Sequence, residues 1–199
     1  MAAIFAIERN GVVYLGADAV RTSSGDVTYY VNSASNLKLT VMPSGVVVAS
    51  VGYMAPALQL TLRDEWFETE EGEAFDKRFI VTKIIPRFYE AIKDRTEWDD
   101  RERHYCKSVR VSFLIAKGSD IYAVFSNLSV TKCDGLAALT EEDADSIMCA
   151  YANACRDEDP ERIIKKTFAF ASAKSNEVSA HGYIINTKDF TLKSMEDVI

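Results

Sequence analysis

The sequence has 199 residues, 48% hydrophobic and 27% charged, with a net charge of −7. This suits one domain spanning 1–199 with enough apolar content for a sizeable core. The acidic balance argues against a broad nucleic-acid-binding face, no apolar run reaches transmembrane length, and the N-terminus lacks the basic and apolar regions of a signal peptide, so a cytoplasmic protein is expected.

The first quarter reads as strands. Ile4–Glu8 and Val12–Ala17 are β-rich runs joined through Asn10-Gly11, a strong hairpin signal. Asn36–Val41 and Val46–Val51 form a second pair around Pro43-Ser44-Gly45. Between the pairs, Arg21–Ser35 is polar and turn-rich, with a short strand predicted at Thr28-Tyr29-Tyr30-Val31.

Two helical patterns follow. Ala55–Glu68 places Leu58, Leu62 and Trp66 on one face. Asp76–Asp94 repeats Phe79, Ile80, Ile84, Phe88 and Ile92, and Pro86 interrupts it by removing a donor and crowding the preceding turn. Arg95–Lys107 is charged and reads as loop. Strands return at Val109–Ala116, with apolar alternation, and at Ile121–Phe125. Thr140 is read as an N-cap for a helix whose apolar face is Ala144, Ile147, Met148, Tyr151 and Cys155, with Glu141, Glu142 and Asp143 at the positive end of the dipole. Asp159 and Pro160 mark the start of a further helix. Strands at Gly182–Asn186 and Phe190–Lys193 complete the chain.

The order is strands, two helices, strands, two helices, strands. It predicts an α+β fold in which two antiparallel sheets pack face to face with a helix pair on each outer side, a four-layer αββα sandwich. The four cysteines (Cys106, Cys133, Cys149, Cys155) contain no C-x-x-C pair and read as thiols in a reducing compartment. His104 and His181 share no ligand spacing with cysteines or acids, so no metal site is expected.

Three pieces of the first 58 residues carry a resemblance: G-A-D at Gly16-Ala17-Asp18 followed by a polar loop, N-L-K-L at Asn36–Leu39, and V-G-x-x-A-x-x-L at Val51–Leu58. Together and in order they resemble the proteasome β-subunit and bacterial HslV family of N-terminal-nucleophile hydrolases. The resemblance covers most of the chain as an element order and is sharp only over 2–58.

In that family an N-terminal Thr hydroxyl attacks a peptide carbonyl, with its own α-amine as base. A Lys held by an Asp favours the reactive form, and a Gly backbone N–H stabilises the oxyanion. The resemblance maps Asp18 onto the Asp, Lys38 onto the Lys and Gly52 onto the oxyanion Gly, with Arg21 and Thr22 as candidates to line a substrate channel. It maps Ala2 onto the nucleophile. Ala has no group able to form an acyl intermediate. The first hydroxyl or thiol residue is Thr22, and exposing it would remove both opening strands and Asp18.

The family also has a Gly-Ser-Gly-like turn before the first late helix, where this chain reads Leu139-Thr140-Glu141-Glu142. It further has an Asp and, three residues later, a Ser after the second late helix, where Ala171–Glu177 shows no such pair. The residues read alone leave blander roles open: Asp18 as a turn cap, Gly52 as a strand-to-helix corner, Arg21 and Thr22 as solvated loop.

Three functions follow as expectations. The first is a proteasome-like subunit without peptidase activity in this form. The second is a threonine peptidase in which Ala replaces Thr at position 2. The third is a non-proteolytic binding protein on the same fold. The resemblance implies self-association, possibly as a ring, peptide or unfolded protein as substrate, and no cofactor. Ring size and any ATPase partner are not specified by the sequence.

Overall fold

The computed structural model describes residues 3–22, 28–30, 38–93, 109–140, 144–175 and 178–199. Strands β1 (Ala3–Arg9) and β2 (Val12–Asp18) form the expected hairpin. Its turn residues have φ of +52° at Asn10 and +82° at Gly11, the left-handed pair that a two-residue hairpin turn demands. A small ribbon follows, β3 (Val20–Thr22) with β4 (Thr28–Tyr30). Then come β5 (Leu39–Val41) and β6 (Val47–Gly52).

Helix α1 (Met54–Thr61) is shorter than its sequence pattern predicts, and a separate 3-10 turn occupies Asp64–Trp66. The expected face is also corrected. Pro56, Ala57 and Leu60 are buried, while Leu58 and Leu62 are 40% and 70% exposed. Small residues at 56 and 57 let the helix lie close to the sheet, and this sets its rotational phase against the longer Leu58–Leu62–Trp66 stripe.

Helix α2 (Lys77–Phe79) is capped by Asp76, whose carboxylate accepts the Phe79 N–H at 2.8 Å. A π turn over Ile80–Ile84 leads directly into α3 (Ile85–Ile92). The widening meets Pro86, which has no N–H to offer the preceding turn, as its position in the pattern predicts.

Strands β7 (Val111–Lys117), β8 (Asp120–Val124), β9 (Val130–Cys133) and β10 (Leu136–Thr140) come next. The last two were not expected from the sequence. Thr140 therefore ends a strand, and the helix that follows, α4 (Asp145–Ala154), has Ala144 at its N-cap. The Thr140 hydroxyl accepts the Ala144 N–H at 3.1 Å, so it supports the entry into α4 from four residues before the cap. Glu141–Asp143 and the loop expected over 95–107 lie outside the described residues. Helix α5 (Pro160–Ser172) begins where predicted, with Asp159 accepting the N–H groups of Glu161 and Arg162. Of the two closing strands, β11 (Gly182–Asn186) holds, but β12 is only Lys193–Ser194. The strand expected at 190–193 fails because Phe190 is left-handed, at φ +58°, within the turn after β11.

The first sheet has the order β10-β1-β2-β11-β12 and the second β5-β6-β7-β8-β9. All pairings are antiparallel. Strict alternation divides their side chains between two cores. On β1, Ile4 and Ala6 face the second sheet, where they meet Val47, Ala49, Leu114 and Ala123. Ala3, Phe5 and Ile7 face the other way onto Met148, Ile164 and Phe168 of α4 and α5. The outer face of the second sheet, including Val48, Phe113 and Ile115, packs on Leu60, Ile80, Ile84 and Phe88 of α1–α3. The result is the predicted αββα sandwich.

Candidate functional site

Strand termini from both sheets meet at one end of this sandwich. In the first sheet β1 begins there, β2 ends, β10 ends and β11 begins. In the second sheet β5 begins, β6 ends and β7 begins. Antiparallel order alone brings Ala3, Asp18, Thr140 and Gly182 into neighbouring rows: Ala3 pairs with Thr140, and Asp18 pairs with Gly182.

Asp18 is 2% exposed and Lys38 is 6% exposed. Lys38 Nζ donates to Asp18 Oδ1 in a buried ion pair that ties the second sheet to the first. The same Oδ1 accepts the Ala3 N–H at 3.0 Å, and Oδ2 accepts the Ser179 N–H at 3.3 Å. Burial pushes the Asp18 carboxyl above the ordinary carboxylate range, and Lys38 with the two backbone amides offsets part of that rise. Such a pair contributes little net stability, because desolvation consumes most of the Coulomb gain. Its effect is positional: one carboxylate fixes the start of β1, the Lys38 ammonium and the segment before β11.

Lys38 is anchored by its own backbone too, its carbonyl accepting the Ser50 N–H at 2.9 Å. Two residues on, Gly52 ends β6 with φ +106°. A Cβ at Gly52 would come within 2.3 Å of the Arg110 carbonyl oxygen, so only glycine fits the corner. The strand-to-helix role is therefore real and does not exclude a chemical one.

The sequence-derived residues thus separate. Asp18 and Lys38 are in contact, and Gly52 lies at the same sheet end. Arg21 and Thr22 fall in β3, paired with Tyr29 and Thr28, and only their backbone is described. Ala2 lies outside the described residues. Its neighbour Ala3 is fully buried and bonded to Asp18.

Two site residues were missed. Ser179 lies just beyond Ala171–Glu177, and Asn176-x-x-Ser179 has the spacing of the support pair with Asn in place of Asp. The structure sets the Ser179 N–H on Asp18, and its hydroxyl accepts the His181 N–H at 3.0 Å. Thr140 was read as a helix cap, but it is the register partner of Ala3. It places a hydroxyl-bearing residue beside the start of β1, in the stretch where the resemblance expects a serine turn.

His181 pairs with Glu196 at 2.7 Å on the surface; His104 and Cys106 lie outside the described residues. Among the described residues Cys133, Cys149 and Cys155 are free thiols, and burial pushes the first two upward in pKa. Among the described residues no helix is long and apolar enough to cross a membrane.

A buried ammonium beside the first strand has a defined chemical use. It lowers the cost of a neutral amine or an ionised hydroxyl placed next to it. An N–H aimed from a β6 terminus can stabilise a developing oxyanion.

No protein-family model matches the chain, and no curated protein is similar to it in sequence. Solved structures do match over nearly the whole length. BPH from Thiobacillus denitrificans in complex with epoxomicin has a TM-score of 0.67 at 17% identity, covering 97% of this chain and 98% of that one. HslV from Trypanosoma brucei has a TM-score of 0.63 at 19% identity, covering 92% and 98%. Anbu (ancestral beta-subunit) from Yersinia bercovieri has a TM-score of 0.68 at 11% identity, covering 98% and 87%. The chain therefore has the proteasome-like N-terminal-nucleophile hydrolase fold.

Proposed function

We propose that this chain is a proteasome β-type subunit-like protein that receives peptide or unfolded polypeptide at the Asp18–Lys38 end of the sandwich and does not cleave it in this form. The bond from Ala3 N–H to Asp18 carries the reading. It ties the residue after position 2 to the buried charge pair, and position 2 is alanine. A methyl group has no lone pair with which to attack a carbonyl, so no acyl intermediate forms.

The other roles are those the resemblance implies. Asp18 holds Lys38, and Lys38 supplies the positive charge that would favour a reactive hydroxyl or amine. Gly52 offers its N–H to the substrate carbonyl oxygen, and Arg21 and Thr22 border the substrate path. Likeness to HslV and Anbu supports self-association; a ring-type assembly, a cytoplasmic location and intracellular proteolysis as the family activity are carried by the resemblance of residues 2–58.

A second reading, a threonine peptidase with Ala standing for Thr at position 2, gains support from Thr140 and Ser179. Both put a hydroxyl-bearing residue beside the start of β1 or beside Asp18, and each hydroxyl also serves a local turn by accepting the N–H of Ala144 or His181.

A peptidase assay on the protein and on Ala2→Thr, with initiator-Met removal checked by mass, tests both. The unmodified chain is expected to give no turnover of short peptides; clear hydrolysis would sink the first reading. Turnover by Ala2→Thr establishes that the remaining site is competent, and silence there removes the second reading.

A further inference from the structure

The end of the sandwich away from Asp18 and Lys38 holds a shallow cavity that the proposed chemistry does not use. It lies where three segments close: the end of β1, the turn from β9 into β10, and the last turn of α4. Its volume is about 140 Å³. That is several times what one water fills and well under the roughly 300–1,000 Å³ of pockets for drug-sized ligands. The floor is aliphatic: Ile7 and Ala152 are buried, and Leu136 packs half-buried against the same core.

The rim is polar. Arg9 is committed: it donates to the carbonyls of Glu8 and Arg156, and so pins the last turn of α4 to the end of β1. Arg156, Asp134 and Asn153 line the same cavity. Among the described residues none of these three side chains makes a hydrogen bond or an ion pair, and Arg156 does not pair with Asp134. A guanidinium and a carboxylate that face one small cavity without meeting leave a gap that a ligand carrying both charges bridges. A bare anion fits worse, because Asp134 and the carbonyl end of α4 both repel it. A bare cation meets two arginines.

We propose that this cavity binds a free aliphatic α-amino acid. Arg156 pairs with the α-carboxylate, its planar fork matching the two oxygens. Asp134 takes the α-ammonium, and the Asn153 amide, both donor and acceptor, serves either group. The ligand side chain lies on Ile7, Leu136 and Ala152, where burial of its apolar surface adds to the charge pairing. The small volume selects a branched aliphatic side chain over an aromatic one. The site stands apart from Asp18 and Lys38 and does not depend on the chemistry proposed there.

Isothermal titration calorimetry on the full chain, at two temperatures, compares three ligands of similar shape: L-leucine, isocaproate, which lacks the ammonium, and isoamylamine, which lacks the carboxylate. Leucine is expected to bind with a Kd of about 1 mM, in keeping with so few atoms. Each single-charge analogue should bind about tenfold more weakly, the worth of one charge-assisted contact. Arg156→Gln and Asp134→Asn should each weaken leucine by about the same factor, and Arg156→Lys should keep part of the affinity. Isocaproate binding as tightly as leucine reveals a plain anion site, isoamylamine doing so a plain cation site, and either result overturns the proposal. Absence of leucine binding at both temperatures overturns it too. Leucine affinity that either substitution leaves unchanged does the same, since the two charges then do not act together on one ligand. The three-ligand comparison uses the unmodified chain, so it stays decisive if a variant fails to fold.

Discussion

The two ends of the sandwich are made from the same strands, yet they treat charge in opposite ways. At the site end Asp18 and Lys38 are buried and paired, and Asp18 accepts backbone N–H groups from two separate segments. At the far end Arg9 lies near the surface, with Nη2 donating to the Arg156 carbonyl at 2.8 Å and Nη1 to that of Glu8. It closes the turn after α4, beside a shallow cavity shared with Asp134, Asn153 and Arg156. Arg9 does what a cation near a helix C-terminus ordinarily does. Nothing about helix or sheet termination requires a buried ammonium against a buried carboxylate. That contrast separates a positioned site from ordinary end-capping.

The contrast can be broken most directly at Asp18. Asp18→Asn leaves Lys38 buried without its counter-charge and is expected to cost about 3–5 kcal/mol by chemical denaturation. Asp18→Asn with Lys38→Met should recover much of the loss. If the single substitution is neutral, the pair is not buried as described and the two ends are alike.

A matched pair of glycine substitutions sharpens it. Gly52→Ala must move the Arg110 carbonyl and hold a left-handed alanine, an expected loss of about 3 kcal/mol. Gly11→Ala, at the far end, is also left-handed but has nothing within 4 Å of the new Cβ, so about 1 kcal/mol is expected. Thermal or denaturant unfolding of the two variants measures the difference, and equal losses would remove the claim that the site end is the more tightly built. The smallest effect belongs to Arg9→Gln, which gives up exposed bonds to carbonyls that water can serve. About 0.5–1 kcal/mol should be lost, with peptide binding at the other end unchanged.

The layered fold and the Asp18–Lys38 pair were legible in the sequence, for separable reasons. Alternation in β7, the β-rich runs of β1 and β8 and the Asn10-Gly11 turn are local signals, and the element order they produce leaves few ways to bury every face. A lysine in the apolar N-L-K-L context asks for a carboxylate, and Asp18, at the end of the second strand, was the natural candidate. Strands β9 and β10 were hidden because Val130–Cys133 carries Thr and Lys at its centre and Leu136–Thr140 looks like the approach to a helix. Thr140 was misread for the same reason: a hydroxyl before acidic residues signals a cap, and only the register with Ala3 reveals its second neighbour. Ser179 left only its spacing from Asn176 as a sign, because its link to Asp18 runs through backbone N–H and shows nothing in side-chain chemistry. The exposed face of α1 was misjudged because periodicity gives the stripe and not the phase at which a helix docks.

The order of strands also sets the sequence of events by which the molecule assembles. In the second sheet every strand pairs with its neighbour in the chain, the one long jump being from β6 to β7. The first sheet must gather residues 3–18, 136–140 and 182–186, the beginning, the late middle and the end. Closing loops of that length is entropically slow. During refolding, amides of β7 and β8 should therefore gain exchange protection ahead of those in β10 and β11. Because Asp18 waits on Ser179 as well as on Lys38, the charged end becomes whole only when the last strands arrive.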